Sequence, residues 1–463
     1  MIGSRTLDIW ANKHMGKTVS VNSKRTIIRL LTATVLATGL SACDTWLGGN
    51  EAPPLPGERI SVLKHESALQ PETGLETSGI RLPAPSPTPD WPQNGGYANH
   101  AMHHVAAAPQ LREYWTTDIG AGAGSGERLT STPIVADGRI FTIDTDSDVS
   151  AFDAKTGTLL WRSALTPDEE DDGHIAGGLA YENGRVFAGT GFAQVIALDA
   201  ATGQIAWRKT ISGPIRSAPT VRGGRVFAVA LDNKTHALAA HDGSLLWTHS
   251  GSPELAMLLG AASPAVDQGV VVVPYTSGEL VALKVDNGRQ LWMDSLTSRR
   301  RTDATAALAH IRANPVIDRG VVFAISHSGL MVAIDLRSGT RLWEKGIGGH
   351  QSFWVAGDYL FTLTGNEELV AMERDSGRIL WVRSLPRWDD PDAREGAIVW
   401  TGPLLVSDRL IIASSDGTAV AVSPYTGDIL GSESMPDGVS VSPIVADETV
   451  YFLSDNATLS AYR

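Results

Sequence analysis

Short apolar runs with period-two character recur along the C-terminal three quarters of the chain. Examples are RIFTI at 139–143, RVFAG at 185–189, RVFAV at 225–229 and VVFAI at 321–325. Runs rich in β-branched and aromatic residues, bounded by turn residues, predict short strands. Each run is followed by a segment such as SAFDAKTGTLLW, whose Asp, Thr and Gly residues suit a tight turn. The pattern therefore predicts antiparallel strands joined by hairpins.

These strands belong to a module whose internal length hardly changes. In each copy, the closing residue follows the opening residue by 28 positions, and a turn glycine lies 24 positions after the opening. The seven copies run Pro133 to Trp161, Leu179 to Trp207, Pro219 to Trp247, Pro264 to Trp292, Pro315 to Trp343, Phe353 to Trp381 and Pro403 to Gly431. A repeat of this kind, built from short strands, is typical of a β-propeller with one blade per copy. We expect the repeated Trp to pack between neighbouring blades.

An eighth copy opens at Pro443 and reaches Arg463 without its last strand. A predicted strand, Leu111 to Trp115, precedes the first copy and ends in Trp, as the last strand of most copies does. Open sheet edges are a liability, so we expect this strand to complete the last blade. The predicted fold is all-β: an eight-bladed propeller of four-stranded blades over 91–463, closed by an N-terminal strand.

The N-terminus has the features of an export signal. Lys24 and Arg29 precede an apolar run at 30–40 that is too short to span a bilayer. The run ends in Leu-Ser-Ala followed by Cys43, which resembles a bacterial lipobox. We predict a lipoprotein signal peptide at 1–42, with Cys43 as the lipidated first residue. Translation from Met1 or from Met15 would both be compatible with this signal.

Residues 43–90 are rich in proline and predict a flexible tether between the lipid and the propeller. Asp44 follows the cysteine, and in enteric bacteria that residue is associated with inner-membrane retention. The sequence is therefore compatible with attachment to either the inner or the outer membrane. Cys43 is the sole cysteine, which excludes disulfides and thiolate metal sites. The chain carries a net charge of −13, and −18 after residue 42, which argues against nucleic acid as a partner.

The segments that join one module to the next vary in length from 10 to 23 positions. Strand order in a propeller places all of these joiners on one face, where we expect function to reside. One joiner carries an apolar run that includes Met257, Leu258 and Leu259, and the next one ends with His310 and Arg312. Exposed apolar residues beside cations are typical of a protein-docking patch. The alternative is that the apolar run tucks under its loop as a small satellite core.

Catalytic and metal-binding patterns are absent or weak in the sequence. Asp144 to Asp148 resembles the start of a calcium loop but lacks the later Gly and Glu, so a solvated hairpin is favoured. His100, His103 and His104 lie on a stretch that we expect to be mobile, where adventitious metal binding is the most they suggest. Walker, nucleophile-elbow and zinc-protease motifs do not occur. We therefore predict no enzyme activity, no cofactor and no metal site.

The repeat ALDAATGQIAW at 197–207 and the segment DWPQNGG at 90–96 resemble the propellers of the pyrroloquinoline-quinone (PQQ) dehydrogenase superfamily. With a lipobox and a lone eight-bladed ring, the chain resembles the BamB family within it. The resemblance implies a scaffold lipoprotein of the β-barrel assembly (Bam) complex at the outer membrane, facing the periplasm. It further implies nascent outer-membrane β-barrel proteins as additional partners.

The same resemblance suggests which joiners bind. In the family they dock on a POTRA domain of BamA, and the contacts carry over to Met257, Leu258 and Leu259 and to the region of His310 and Arg312. This chain departs from the enterobacterial pattern, because Leu259 stands where that pattern has an Arg, and His310 and Arg312 stand where it has acids. The charge arrangement of the expected contact is therefore changed.

Two other functions remain open from the sequence. A PQQ-dependent dehydrogenase would need calcium, carboxylate ligands and usually an adjacent disulfide, which a single cysteine cannot form. A periplasmic scaffold for another envelope complex is compatible with Asp44.

Overall fold

The computed structural model describes residues 69–72, 79–170, 175–254, 258–297 and 310–463. Within these ranges the chain is all-β, and its strands form eight four-stranded antiparallel sheets and one two-stranded hairpin. The predicted eight-bladed propeller is confirmed. None of the described residues forms a helix long and apolar enough to cross a membrane.

The first strand, β1 (Glu113–Asp118), belongs to the last blade, and the first four blades follow it in chain order. Blade 1 contains β2 (Ile134–Ala136), β3 (Arg139–Ile143), β4 (Asp148–Asp153) and β5 (Leu159–Ala164). Blade 2 contains β6 (Gly178–Glu182), β7 (Arg185–Gly189), β8 (Gln194–Asp199) and β9 (Ile205–Thr210). Blade 3 contains β10 (Thr220–Arg222), β11 (Arg225–Val229), β12 (Lys234–Ala239) and β13 (Leu245–Ser250). Blade 4 contains β14 (Ala265–Asp267), β15 (Val270–Pro274), β16 (Glu279–Lys284) and β17 (Gln290–Ser295).

The second half of the ring repeats this order with one insertion. Blade 5 contains β18 (Val316–Asp318), β19 (Val321–Ser326), β20 (Leu330–Asp335) and β21 (Arg341–Lys345). Blade 6 contains β22 (Trp354–Ala356), β23 (Tyr359–Leu363), β24 (Glu368–Glu373) and β25 (Ile379–Ser384). A hairpin of β26 (Trp388–Asp390) and β27 (Glu395–Ala397) precedes blade 7, which contains β28 (Trp400–Val406), β29 (Arg409–Ser414), β30 (Thr418–Val422) and β31 (Ile429–Ser434). Blade 8 contains β32 (Ile444–Ala446), β33 (Thr449–Leu453), β34 (Thr458–Tyr462) and, from the N-terminal side, β1.

In most blades a short inner strand lies at one edge of the sheet and an exposed outer strand at the other; the outer strand of blade 6, β25, is mostly buried or half-buried. The two middle strands are almost wholly buried, as in β15, whereas the outer strand β5 alternates exposed and half-buried residues. Because neighbouring strands are antiparallel, the Thr-Gly turns share one face with the turns that follow the inner strands. We call this the hairpin face. The joiners lie on the opposite face, the joiner face.

The tryptophans that close the modules pack between blades, as predicted. Each indole lies over the turn glycine of the next blade, and its Nε1 donates a hydrogen bond to a backbone carbonyl there. At the first of these contacts, Gly203 has a φ of +73°, and a Cβ atom would lie 2.5 Å from Cε3 of Trp161. The turn thus requires glycine both for its backbone conformation and for the approach of the indole.

Ring closure also follows the prediction. Strand β1 pairs antiparallel with β34, and backbone hydrogen bonds of 3.2 and 2.9 Å join Arg112 to Arg463 in both directions. Trp115 of β1 then packs against Gly157, the turn glycine of blade 1, although its Nε1 makes no hydrogen bond to the described residues. Blade 8 is therefore assembled from two distant parts of the chain.

The interface between blades 7 and 8 differs from the others. Gly431 stands where the other modules have Trp, and a Cβ atom built on it would meet nothing within 4 Å. A cavity of about 190 Å³ lies beside it, lined mainly by apolar side chains that include Leu111, Ile411, Met435 and Phe452. Blades 7 and 8 therefore meet without an indole between them.

A segment that the repeat pattern does not cover circles the hairpin face. Residues 91–107, which we call the belt, touch the inner strand or first turn of every blade in order. The contacts are Trp91 with Val135, Gln93 with Ala180 and Val221, Ala98 with Val266, Asn99 with Ile317, His103 with Trp354, Val105 with Val406, and Ala107 with Glu448. The belt lies across the hairpin-face end of the central channel.

His100, His103 and His104 belong to the belt. The expectation that they lie on a mobile stretch was therefore wrong. His100 Nδ1 lies 2.7 Å from the carbonyl of Pro315, and His104 Nε2 accepts a hydrogen bond of 2.9 Å from the Asp408 N–H. Both side chains are buried. Upstream, Ile80 is buried against blades 6 and 7, so residues 79–90 of the predicted tether lie against the propeller.

Candidate docking site

The central channel opens on the joiner face into a small polar cavity of about 100 Å³. Its wall is formed largely by residues that immediately precede the inner strands, among them Thr132, Asn314, Ser352 and Ser442. Asn94 of the belt also lines it, so the belt forms the floor. The sequence analysis missed these residues, although a polar residue just before the opening Pro recurs in several modules.

The polar wall is tied together by hydrogen bonds between blades. Asn314 Oδ1 accepts a bond of 2.8 Å from the Ser263 N–H, and the Asn314 N–H donates to Ser352 Oγ at 2.9 Å. Thr401 and Ser442 share a bond of 2.9 Å between their hydroxyls. Because each bond joins neighbouring blades, the mouth of the channel is a preorganised surface.

The two joiners singled out in the sequence meet beside this mouth. The Leu258 N–H donates a hydrogen bond of 3.0 Å to His310 Nδ1. Gly260 has a φ of +80°, and a Cβ atom on it would lie 3.3 Å from Arg312 Nε, so glycine allows the close approach. Leu258, Gly260, His310 and Arg312 thus form one local surface, while Met257 lies outside the described residues.

These residues differ in solvent exposure, which indicates that they have different roles. Leu259 is 41 % exposed and Leu258 is half-buried, so part of the apolar run faces solvent rather than a satellite core. His310 is only 1 % exposed and cannot contact a partner in this conformation. Its contact with Leu258 makes it a positioning residue for the apolar rim. Arg312 is half-buried and lines the cavity.

The electrostatics of the mouth are dominated by cations. Burial lowers the pKa of the Arg312 guanidinium below its usual value. Burial, aided by Arg312 and His327, lowers the pKa of both His310 and His350 to about 4, so both imidazoles are neutral at pH 7. Burial and Arg312 also lower the pKa of His327. Arg216 from the preceding joiner lines the same cavity.

The other candidate sites from the sequence analysis show no metal-binding geometry among the described residues, and Asp144 makes contacts within the fold. Asp144 is buried rather than solvated, and its carboxylate accepts hydrogen bonds from the N–H groups of Ala121, Asp146 and Asp148. Within the described ranges, no three His, Cys, Asp or Glu side chains lie close enough together to hold a metal ion. Cys43 lies outside the described residues.

Comparison with known proteins identifies the family. The model of the family described as outer membrane protein assembly factor BamB matches residues 104–171 and 145–383. The outer membrane protein assembly factor BamB of Yersinia pestis is 27% identical over 354 residues, covering 75% of this chain and 88% of its own.

Two solved structures share the fold at low sequence identity. BamB from Moraxella catarrhalis is 16% identical with a TM-score of 0.65 and covers 76% of this chain and 100% of its own. A quinohemoprotein alcohol dehydrogenase from Pseudomonas putida is also 16% identical, with a TM-score of 0.60, covering 81% of this chain and 80% of its own. Because the family model spans more than half of the sequence, this chain belongs to the BamB family of outer membrane protein assembly factors.

Proposed function

We propose that the protein is a non-catalytic scaffold lipoprotein of the β-barrel assembly machinery that binds a POTRA domain of BamA through its joiner face. The observation that carries this proposal is the meeting of two joiners, through the Leu258–His310 hydrogen bond, at the positions where the family resemblance implies contact. Nascent β-barrel proteins are further candidate partners of the same complex.

The proposed surface combines an apolar anchor with a rigid support. Leu259 projects an exposed apolar side chain, and buried His310 holds the backbone of the adjacent Leu258. Interface energy usually concentrates in a few side chains that become buried, each contributing about 2 kcal/mol or more. We therefore assign the main apolar contact to Leu258 and Leu259 and a flanking polar contact to Arg312.

Replacing Leu259 with Asp tests this assignment. We expect affinity for the periplasmic POTRA domains of BamA to fall more than tenfold, because a carboxylate would have to be desolvated in the interface. The melting temperature should hardly change, since the side chain is exposed in the free protein. Binding is measured by calorimetry with the purified chain lacking its signal peptide.

Leu342→Asp is the matched control, because Leu342 is 54 % exposed on the outer strand β21, away from the joiners. It should bind BamA like the unmodified protein. The proposal is wrong if Leu342→Asp weakens binding while Leu259→Asp does not. Capture of a different envelope complex from native membranes, without BamA, would favour the alternative scaffold function.

The dehydrogenase alternative requires room for pyrroloquinoline quinone in the channel. The channel holds cavities of about 100 and 70 Å³, and the deeper one lies beside Trp91 and Trp354, whose rings are stacked at 6.2 Å. A cavity of roughly 150 Å³ accommodates only a benzene ring. The residues present therefore do not fit a tricyclic quinone, and we propose no redox step.

Lipidation of Cys43 gives the proposed scaffold its location on the periplasmic side of the outer membrane. Two or more acyl chains give stable attachment where one would be marginal. Cys43→Ser should therefore move the protein from the membrane pellet to the soluble periplasmic fraction, as measured by fractionation and immunoblotting. Retention of the variant in the pellet after a carbonate wash would contradict a lipid anchor. Separation of inner from outer membranes on a density gradient tests the sorting effect of Asp44.

A further inference from the structure

Five basic side chains from four loops lie at the mouth of the channel or directly behind it. Arg216, His310, Arg312, His327 and His350 come from three joiners between blades 2 and 6 and from a turn in blade 5. We call them the channel-mouth cluster. Among the described residues, Arg312 has neither a hydrogen-bond acceptor nor an acidic neighbour, and burial alone acts on its pKa.

The imidazoles of this cluster also carry unused hydrogen-bonding groups. His310 Nδ1 accepts the Leu258 N–H, so the neutral ring must carry its proton on Nε2. His310 Nε2 is buried and has no hydrogen-bond partner in the described part of the chain, and the same holds for His350 Nε2. A buried donor without an acceptor is destabilising and rare in folded proteins. Of these residues, Arg312 and His350 line the cavity, whereas His310 is buried and bonded to the Leu258 N–H.

A guanidinium that is partly withdrawn from water and has no counter-charge is unfavourable for the folded state. The cost is offset if an anion binds there. We propose that Arg312 and His350, which line the cavity, bind the carboxylate of an Asp or Glu side chain on the docked partner, an inference that rests on the proposed function.

A carboxylate fits the site in size and geometry. The cavity of about 100 Å³ has room for a small planar anion but not for an extended ligand. A guanidinium binds a carboxylate through two parallel hydrogen bonds, which suits Arg312 at the cavity wall. Leu259 directly precedes Gly260, which Arg312 approaches, so the same polypeptide could cover the apolar rim and insert its acid.

Binding of an anion should be coupled to protonation of His327 and His350. Burial and the nearby Arg312 lower the pKa of His327 and of His350, so both rings favour the neutral form. His310 is excluded, because its unprotonated nitrogen Nδ1 already accepts the Leu258 N–H. A bound carboxylate favours the imidazolium form and so raises the pKa of His327 and His350. Proton uptake then accompanies binding at pH values between the free and the bound pKa. Affinity should therefore rise as the pH is lowered from 7 towards 5.

Replacing Arg312 tests the proposal with the whole protein. Arg312→Met should weaken binding of the BamA POTRA domains at least tenfold, and the remaining binding should depend less on salt and on pH. Arg312→Lys, which keeps the charge, should retain part of the affinity. The melting temperature of Arg312→Met should be unchanged or higher, because the variant no longer buries an unpaired charge. Unchanged affinity in Arg312→Met would overturn the proposal.

A small probe separates this inference from the proposed function. Propionate reproduces the side chain of Glu, and propionamide is its neutral counterpart. Titrating propionate into the unmodified protein should shift the imidazole nitrogen signals of His350 towards the protonated form, and propionamide should not. If propionate acts but BamA does not bind, the carboxylate site stands and the proposed partner is wrong. If BamA binds but propionate leaves the histidine signals unchanged, the carboxylate site is wrong.

Discussion

Deleting residues 1–118 is expected to abolish cooperative folding of the propeller, whereas deleting residues 1–78 should leave it folded. The longer deletion removes the belt and β1, so blade 8 loses its outer strand and exposes the edge of β34. It also removes Trp115, the indole that packs against Gly157. Circular dichroism during thermal unfolding measures the difference.

The shorter deletion is the control. It removes few described contacts with the ring, chiefly those of residues 69–72, and keeps the belt and β1. We expect a soluble protein with a single unfolding transition. Equal melting temperatures for the two deletions would show that β1 and the belt do not close the ring.

Arg374→Met should lower the free energy of unfolding by about 3–5 kcal/mol, because it leaves a buried carboxylate without its main cation. Arg374 in blade 6 donates hydrogen bonds of 3.1 and 2.8 Å to the side chain and the carbonyl of Asp318 in blade 5. The two side chains are only 8% and 6% exposed. Arg319 also pairs with Asp318, but its own side chain is half exposed and compensates only in part. The change is measured from urea unfolding curves.

An exposed ion pair provides the comparison. Arg225 and Asp286 lie 3.1 Å apart with side chains that are 33% and 73% exposed, and such pairs contribute about 1 kcal/mol or less. Arg225→Met should therefore change stability little. If Arg225→Met and Arg374→Met lower the free energy of unfolding by similar amounts, burial does not make the Arg374–Asp318 pair more important for stability than an exposed pair.

The ring could be predicted from the sequence because its determinants repeat. Each turn glycine and each closing tryptophan makes the same contact in blade after blade, so the constant spacing reflects a constant geometry. The closing strand was also predictable, because an incomplete eighth copy and an isolated strand complement each other. Even the exception is visible in the sequence, since Gly431 interrupts the series of tryptophans.

The belt and the channel mouth could not be predicted in the same way. Each belt residue contacts a different blade, so the segment has no period. The joiners likewise occur once each, and nothing near His310 in the sequence shows that it is buried under Leu258. His327 and His350 lie on a turn and on another joiner, and only the folded ring brings them within reach of Arg312.

The belt also constrains the order in which the chain can fold. It is synthesised before every blade, yet its contacts include partners about 300 residues further along, as in the hydrogen bonds between Ala107 and Ser407. Contacts between such distant residues slow folding, because a large loop must close before they form. Blades 1 to 7 can form one after another as they emerge. Strand β1 must wait for β34, and the last belt contact must wait for blade 8, so closure of the ring is completed last.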